Sequence, residues 1–173
     1  MSATRRWDTH VRWYELTAEV RIPGRIGGVF PFFSEAGNLE ALTPDWLNFK
    51  LVTPRPIHMG TGTVIDYRIR LRLVTMRWRS RITVWDPPHR FVDEQLKGPY
   101  RRWIHEHTFT QDGEEVVCSD HVRYAVPGGP MLETLINRCF VQPELEQIFR
   151  YRRQAMLRLL SRTDRGVSAG SPV

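Results

Sequence analysis

The chain has 173 residues, of which 41% are hydrophobic and 25% charged, with a formal net charge of +6. This describes one globular domain rather than two and excludes a disordered chain, while the positive charge leaves acidic partners open. No apolar run approaches the ~20 residues that cross a bilayer, no apolar stretch resembles a secretory signal, and two cysteines make no disulfide framework, so we expect a cytoplasmic protein.

The N-terminal third reads as one strand and two short helices. Apolar residues alternate over residues 10–22, which predicts a strand. Helical spacing over residues 26–33 predicts a short helix that Pro31 shortens or kinks, and a second short helix is predicted over residues 38–42.

The rest of the chain reads as six strands followed by one long helix. Turn residues separate strands predicted at 47–53, 62–73, 76–85, 90–96, 101–110 and 115–125. A helix is predicted to begin at Pro127-Gly-Gly-Pro130 and to kink or break at Pro143. We therefore predict an α+β fold in which a curved antiparallel sheet of about seven strands wraps the C-terminal helix, with any ligand between them. The domain should span residues 10–160, and residues 161–173 should form a disordered tail.

Three segments of this sequence resemble the START-like (SRPBCC) helix-grip superfamily, which includes polyketide cyclases/dehydrases and lipid-transfer domains. They are VFPFFSEAGNLEALTP at 29–44, FVDEQLKGPYRRWIHEHTF at 91–109 and DHVRYAVPGG at 120–129. The resemblance covers residues 10–160 and implies the helix-grip fold and a ligand-binding subgroup. It implies no particular activity, because the superfamily mixes enzymes, carriers and sensors.

Strand parity and helical spacing predict which side chains face the ligand. An apolar pocket with a few polar groups that fix the ligand's orientation is expected. The predicted lining is Phe30, Phe33, Tyr67, Ile69, Trp78, Ile82, Phe91, Asp93, Trp103, His105, Tyr124, Leu132, Ile136 and Phe149.

The polar candidates are Asp93, His105, His107 and Asp120. If Asp112-Gly113 is the turn of the last hairpin, His107 faces Cys118, His105 faces Asp120 and Trp103 faces Val122. These groups either satisfy one another, contact a ligand, or form a catalytic set in which an Asp orients a His for proton transfer. His105, His107 and Asp120 are the catalytic candidates.

A zinc site is the weaker interpretation of the same residues. His105-Glu-His107 puts two imidazoles on one side of a strand, and Cys118 or Asp120 could complete a site. Because no second ligand-rich segment closes it, we expect no metal and no cofactor. Cys118 and Cys139 are expected to be buried hydrophobic residues.

The other face of two strands is rich in arginine. Closing the hairpin at Val74-Thr75 would place three arginine pairs opposite one another: Arg72 with Arg77, Arg70 with Arg79, and Arg68 with Arg81. This indicates a solvated face relieved by Asp66, Glu94 and Glu106, or a surface for an anionic membrane or RNA. Trp85 is the only aromatic side chain predicted on the arginine face that could stack on a nucleic-acid base, so a nucleic-acid partner is not favoured.

The sequence therefore favours binding, and with it transport or sensing, of a small hydrophobic or amphipathic ligand. The alternatives are a polyketide cyclase/dehydratase-type enzyme with His105 or His107 as general base, and a membrane or RNA adaptor that uses the arginine-rich face. The sequence decides neither turnover nor oligomeric state.

Overall fold

The computed structural model describes residues 11–71 and 74–167, without the side chains of residues 130 and 161–167. Its strands are β1 (Tyr14–Pro23), β2 (Lys50–Leu51), β3 (Val64–Leu71), β4 (Val74–Asp86), β5 (Arg90–Lys97), β6 (Arg102–Asp112) and β7 (Glu115–Ala125). Its helices are α1 (Ile26–Ser34), α2 (Pro130–Ile136) and α3 (Gln142–Val167).

The seven strands form one antiparallel sheet in the order β1-β7-β6-β5-β4-β3-β2. The sheet curls into a half-barrel, and α3 lies across its inner face. This is the helix-grip fold predicted from the sequence. The buried apolar stripe of α3 follows helical spacing and comprises Leu145, Phe149, Ala155, Met156 and Leu160.

The segment after β1 contains less regular structure than the sequence predicts. Helix α1 forms as expected and retains Pro31 inside it. The predicted second helix at residues 38–42 is instead a single 3-10 turn at Ala36–Leu39, and Leu47 lies in another at Asp45–Leu47. Consequently the predicted strand at residues 47–53 pairs only over Lys50–Leu51, because Leu47 is committed to that turn.

The predicted break near Pro143 takes the form of a π-helical turn at Asn137–Val141, between α2 and α3. Pro143 follows in the first turn of α3, and because proline has no N–H to donate to a carbonyl of the preceding turn, it disfavours a regular α-helix at this point. Helix α3 continues to Val167, into the segment expected to be a disordered tail. No proline or glycine interrupts residues 161–165, and polarity alone does not end a helix.

The predicted register of the β6–β7 hairpin is wrong by two residues. Asp112 pairs with Glu115, so the turn residues are Gly113 and Glu114, and Gly113 adopts the positive φ of 60° that such a turn needs. His107 therefore faces Asp120, and His105 faces Val122. Because the shift is two residues, the same side chains stay on the inner face.

The stack of three arginine pairs is also wrong. Leu71 pairs with Val74, so Arg70 faces Thr75 and Arg79 faces Asp66. Within the described part of this hairpin, Arg68 opposite Arg77 is the one facing pair of like charges, and Arg72 lies outside the described residues.

Trp85 does not lie on the outer face. The β4–β5 register shifts between Ile82 and Val84, which marks a bulge at Thr83. A bulge inserts one extra residue and so reverses the parity of the residues after it. Trp85 consequently packs inward, with its ring 5.5 Å from that of Phe30 and 5.9 Å from that of Phe91.

The core has two buried clusters on either side of the middle of α3. One joins α1 to the ends of β6 and β7 and includes Phe30, Phe109 and Met156. The other, around Trp103 and Tyr124, packs against the first turns of α3. None of the described helices has the length and apolar character needed to cross a membrane.

Candidate functional site

A cavity of about 170 Å³ lies between the inner face of the sheet and α3. This is well above the ~10–15 Å³ that one water molecule needs. The wall combines side chains from α1, β3 to β6 and α3 with those of the segment between α1 and β3. Its members include Phe33, Phe49, Tyr67, Ile69, Trp78, Ser80, Ile82, Phe91, Asp93, Tyr100, Trp103, His105, His107, Leu145, Phe149 and Arg152.

Most of the wall is aromatic or aliphatic. The rings of Tyr67 and Trp78 stack at 5.8 Å across the β3–β4 ladder, and Trp103 meets Trp78 edge-on at 5.3 Å. Strand alternation explains this surface, because every second residue of β3, β4 and β6 points inward.

Four ionisable side chains form a buried cluster at one side of the cavity. Asp93 comes from β5, His105 and His107 from β6, and Asp120 from β7. The ladders place them together, since His105 faces Asp93 and His107 faces Asp120. His105, His107 and Asp120 are 5%, 4% and 7% exposed, so water does not screen their interactions.

Each imidazole lies between the two carboxylates. One oxygen of Asp120, Oδ1, is 3.0 Å from Nε2 of His105 and 2.7 Å from Nδ1 of His107. The contact with His107 lies off the N–H direction, so this nitrogen makes no aligned hydrogen bond. On the other side, Oδ2 of Asp93 is 3.6 Å from Nδ1 of His105 and 3.5 Å from Nε2 of His107.

Hydrogen bonds tie the cluster to the aromatic wall through Ser80. Its hydroxyl donates to Oδ1 of Asp93 at 3.2 Å and accepts from the indole N–H of Trp78 at 3.0 Å. The hydroxyl of Tyr67 lies 3.3 Å from the hydroxyl oxygen of Ser80. Ser80 therefore holds the carboxylate of Asp93 so that its second oxygen faces the imidazoles.

Both carboxyl groups of the cluster favour the ionised form. Burial by itself raises the pKa of a carboxyl group, but the charge of Arg152 and the two imidazoles hold the pKa of Asp120 well below its ordinary value. Burial acts likewise on Asp93, where His107, His105 and Ser80 outweigh it and lower the pKa. Two negative charges are thus retained inside the protein.

The two histidines differ in pKa. Burial, followed by the charge of His107, lowers the pKa of His105 despite its two carboxylate neighbours. At His107 burial acts in the same direction, but Asp120 and Asp93 outweigh it and the pKa is raised. Of the two imidazoles, His107 is therefore the more basic.

Arg152 adds a positive charge to the same wall. It projects from the inner stripe of α3 into the cavity lining, and its Nε is buried with no hydrogen-bond partner among the described residues. Its charge acts on Asp120, His107 and the hydroxyl of Tyr67. The polar side of the cavity thus offers both signs of charge beside an apolar wall.

Comparisons with known proteins bear on the fold. No protein-family model matches the sequence, and none of the curated proteins is similar to it. Norcoclaurine synthase from Thalictrum flavum, solved as a point mutant with a transition state analogue, matches 89% of this chain and 98% of its own, with a TM-score of 0.65 and 14% identity. TTHA0849 from Thermus thermophilus matches 91% of this chain and 100% of its own, with a TM-score of 0.62 and 20% identity.

A further similar structure is BexL, the di-domain ARO/CYC of the BE-7585A biosynthetic pathway. It matches 83% of this chain and 50% of its own, with a TM-score of 0.58 and 16% identity. The fold is shared. At these identities the likeness extends to the helix-grip architecture and does not assign a reaction or a ligand.

The structure brings most of the residues predicted to line the ligand site to one cavity. Those that line it are Phe33, Tyr67, Ile69, Trp78, Ile82, Phe91, Asp93, Trp103, His105 and Phe149. His107, a catalytic candidate, lines it as well, and Asp120 is buried directly behind the two imidazoles.

Four of the predicted lining residues lie elsewhere. Phe30 fills the core beside Phe109, and Tyr124 donates a hydrogen bond to Asn137 at 2.9 Å. Leu132 is 55% exposed, and Ile136 packs against the Tyr124 side of the core. The π-helical turn after Ile136 turns α2 away from the cavity, so the apolar stripe of the predicted single helix is split. Cys139, expected to be buried, is exposed for the same reason, whereas Cys118 is buried.

Sequence reasoning missed two polar groups in the wall, Ser80 and Arg152. Both could have been found from periodicity. Ser80 occupies an inward position between Trp78 and Ile82, and Arg152 falls on the helical stripe between Phe149 and Met156. A polar residue at a core position is the informative observation in each case.

One donor atom from each of Asp93, His105 and His107 lies within 4.8 Å of the other two, a separation at which a metal ion can be held. Neither Cys118 nor Asp120 belongs to this group. Burial, followed by the charge of Asp120, raises the pKa of Cys118 to about 12, so its thiol stays protonated.

Proposed function

We propose that this protein binds a small hydrophobic or amphipathic molecule in the cavity between the sheet and α3. The observation that carries the proposal is a cavity of about 170 Å³ with an aromatic wall on one side and a buried ionisable cluster on the other. Such a pocket removes apolar surface from water while its polar groups fix one orientation. The fold shared with norcoclaurine synthase and BexL, together with the resemblance of three sequence segments to START-like proteins, supports this assignment.

The polar side favours an amphipathic ligand over a pure hydrocarbon. Arg152 and His107 can each donate a hydrogen bond, and Asp93 can accept one. A ligand without polar atoms would cover these groups and leave them without partners, which costs free energy. We therefore expect a mainly apolar molecule with an oxygen-bearing group at one end.

Filling the cavity tests the proposal. Ile69 lines it, and the next residue, Arg70, is exposed on the opposite face of the same strand. Ile69→Trp should abolish uptake of an apolar fluorescent probe, whereas Arg70→Trp should leave uptake unchanged in a protein of similar melting temperature. Native mass spectrometry of freshly purified wild type should detect a bound small molecule. Equal uptake by both variants would contradict binding in this cavity.

A second candidate is an enzyme that acts on the bound molecule, as in cyclase/dehydratase chemistry. The buried cluster of Asp93, His105, His107 and Asp120 favours it, because carboxylates that orient imidazoles beside a ligand site are suited to proton transfer. In that case His105→Ala and His107→Ala should abolish turnover and change ligand affinity by only a few-fold. Parallel losses of affinity and rate would favour the binding protein.

We propose the cytoplasm as the place of this function. Cys118 and Cys139 are both free thiols, which a reducing compartment maintains.

A further inference from the structure

We infer that Asp93, His105 and His107 form a binding site for one divalent transition-metal ion, with a coordination position open toward the ligand cavity. Imidazole nitrogens and a carboxylate oxygen are the ligands that zinc and its neighbours in the first transition row accept. Two imidazoles disfavour calcium and magnesium, which take oxygen ligands. The inference rests on the proposed function only in assigning the open position to the cavity's ligand.

The distances from Asp93 to the two imidazoles are those of ligands around a metal rather than of hydrogen-bonded partners. Oδ2 of Asp93 lies 3.6 Å from Nδ1 of His105 and 3.5 Å from Nε2 of His107. A good N–H···O hydrogen bond spans ~2.7–3.2 Å. A tetrahedral zinc ion with bonds of ~2.0–2.2 Å places its ligand atoms about 3.3–3.5 Å apart. The three side chains therefore surround a space that suits a metal better than a shared proton.

Another side chain lies behind each of the three proposed ligands, and it makes a hydrogen bond to two of them, His105 and Asp93. His105 and His107 turn their other ring nitrogens to the same oxygen of Asp120, at 3.0 and 2.7 Å. The second oxygen of Asp93 accepts a hydrogen bond from Ser80 at 3.2 Å. Metal-binding histidines usually donate their free N–H to a carboxylate or a carbonyl, and ligating carboxylates are themselves hydrogen-bonded. The hydrogen bond to Asp120 fixes which nitrogen of His105 faces the metal.

The local charge is compatible with a cation. With neutral imidazoles, the carboxylates of Asp93 and Asp120 carry two negative charges against the single guanidinium of Arg152. His105, His107 and Asp120 are buried and the side chain of Asp93 is only 17% exposed, so an uncompensated negative charge here is unfavourable. A divalent ion between Asp93 and the imidazoles supplies the missing positive charge.

Three protein ligands leave a fourth position for water or for the bound molecule, as in zinc sites that carry out chemistry. His105, His107 and Asp93 all line the cavity, so this position adjoins the aromatic wall. The class of ligand that fits is an apolar molecule with a carbonyl or carboxylate oxygen that can bind the metal. Its ring or chain would lie against Trp78 and Tyr67.

Metal content and spectroscopy test the site without any organic ligand. Full-length protein is stripped with a chelator, dialysed with Zn²⁺ and then against metal-free buffer, and its zinc is measured by mass spectrometry. One zinc ion per chain is expected to remain. Co²⁺ added in place of Zn²⁺ should give the intense visible absorption of a tetrahedral site.

Variants locate the ion. Asp93→Asn and His105→Gln should each weaken Zn²⁺ binding more than Asp120→Asn, for which a loss of ~10–100-fold is expected because Asp120 acts from behind the ligands. His121→Gln is the matched control, since His121 lies on β7, is solvent-exposed and sits 3.3 Å from Glu15. Circular dichroism checks that each variant folds, and Asp93→Asn decides the matter should His105→Gln not fold.

The inference is overturned if folded wild type retains no stoichiometric zinc, or if His121→Gln removes the zinc while Asp93→Asn keeps it. Uptake of the apolar probe by the metal-free wild type separates this result from failure of the proposed function. Probe uptake by a protein that retains no zinc would support the proposed ligand binding and overturn the metal site. Zinc binding by a protein that takes up no probe would support the metal site and overturn the proposed ligand binding.

Discussion

Each face of the sheet carries a contact between a carboxylate and a basic side chain, but only the contact on the inner face is buried. On the outer face Arg79 donates two hydrogen bonds to Asp66, at 2.7 and 2.9 Å, and both side chains are exposed. On the inner face His105 lies 3.0 Å from Asp120, and both are buried. The distances are alike, so the difference between the two pairs lies in their access to water.

Water decides what each pair contributes. When an exposed ion pair forms, its two charged groups lose part of their hydration and gain an attraction that water and salt weaken. The net effect of the pair on stability is therefore small. A buried group that loses its partner has no water to replace it. We therefore expect substitutions on the inner face to change stability and binding, and matched substitutions on the outer face to change little.

The largest contrast should come from deleting one carboxylate on each face. Asp120→Ala leaves the two imidazoles and Arg152 without their shared partner, and should lower the free energy of unfolding by about 3–5 kcal/mol. Asp66→Ala should lower it by less than about 1 kcal/mol. Urea denaturation of metal-free protein measures both, and similar effects of the two substitutions would remove the distinction between the faces.

The loss of stability at acid pH compares the same two carboxylates, Asp120 and Asp66, in a second way. The pKa values of Asp120 and Asp66 are both lowered, Asp120 by Arg152 and the imidazoles despite its burial, Asp66 chiefly by its hydrogen bond from Arg79. A carboxyl with a depressed folded pKa contributes stability above its unfolded pKa of ~3.9 and loses that contribution as pH falls through the folded pKa.

Asp120→Asn should therefore flatten the fall in stability of the metal-free protein below about pH 5, and Asp66→Asn should leave it nearly as steep. Unfolding by urea at a series of pH values measures the slopes. Equal slopes in the wild type and Asp120→Asn would mean that Asp120 is not held ionised by its neighbours.

A smaller effect is expected at two inner tyrosines, Tyr14 and Tyr124, whose rings stack 5.7 Å apart. The hydroxyl of Tyr124 donates to Asn137 at 2.9 Å, whereas that of Tyr14 is buried with no hydrogen-bond partner among the described residues. Tyr124→Phe should lower the free energy of unfolding by about 1 kcal/mol. Tyr14→Phe should be neutral or slightly stabilising, and a loss equal to that of Tyr124→Phe would show that burial alone sets the cost.

The smallest effects are expected on the outer face, and they should differ in sign. Arg79→Gln removes the partner of Asp66, whereas Arg68→Gln relieves the facing charge of Arg77. The melting temperature should fall slightly in the first variant and rise slightly in the second. Both shifts should vanish in high salt, because exposed charges are screened. A shift that survives high salt would contradict the assignment to exposed charge.

Much of the fold could be predicted because its signals are local. Alternation marked β3 to β7, and the order of strands and helices indicated a sheet that wraps α3. The same alternation put His105 and His107 on one face of β6. Asp93 and Asp120 were placed on that face by the registers assumed for the two neighbouring hairpins, and the two-residue error in the β6–β7 register did not change their face.

Other features depended on contacts between distant parts of the chain. The turn that closes the β6–β7 hairpin sets its register, so Asp120 faces His107 rather than His105. A bulge in β4 turns Trp85 inward. Neither changes the local pattern of polarity, so the sequence leaves both open.

Sequence alone thus determined the alternation within each regular stretch of strand, and tertiary structure decided the register between strands, the bulge and which side chains meet. Arg152 is far from Asp93 in sequence and reaches its neighbourhood only when α3 docks across the sheet. Leu132 has the spacing of a core residue, yet the π-helical turn leaves it exposed. Periodicity is set by neighbouring residues along the chain, whereas register and helix docking are set by how the whole core closes.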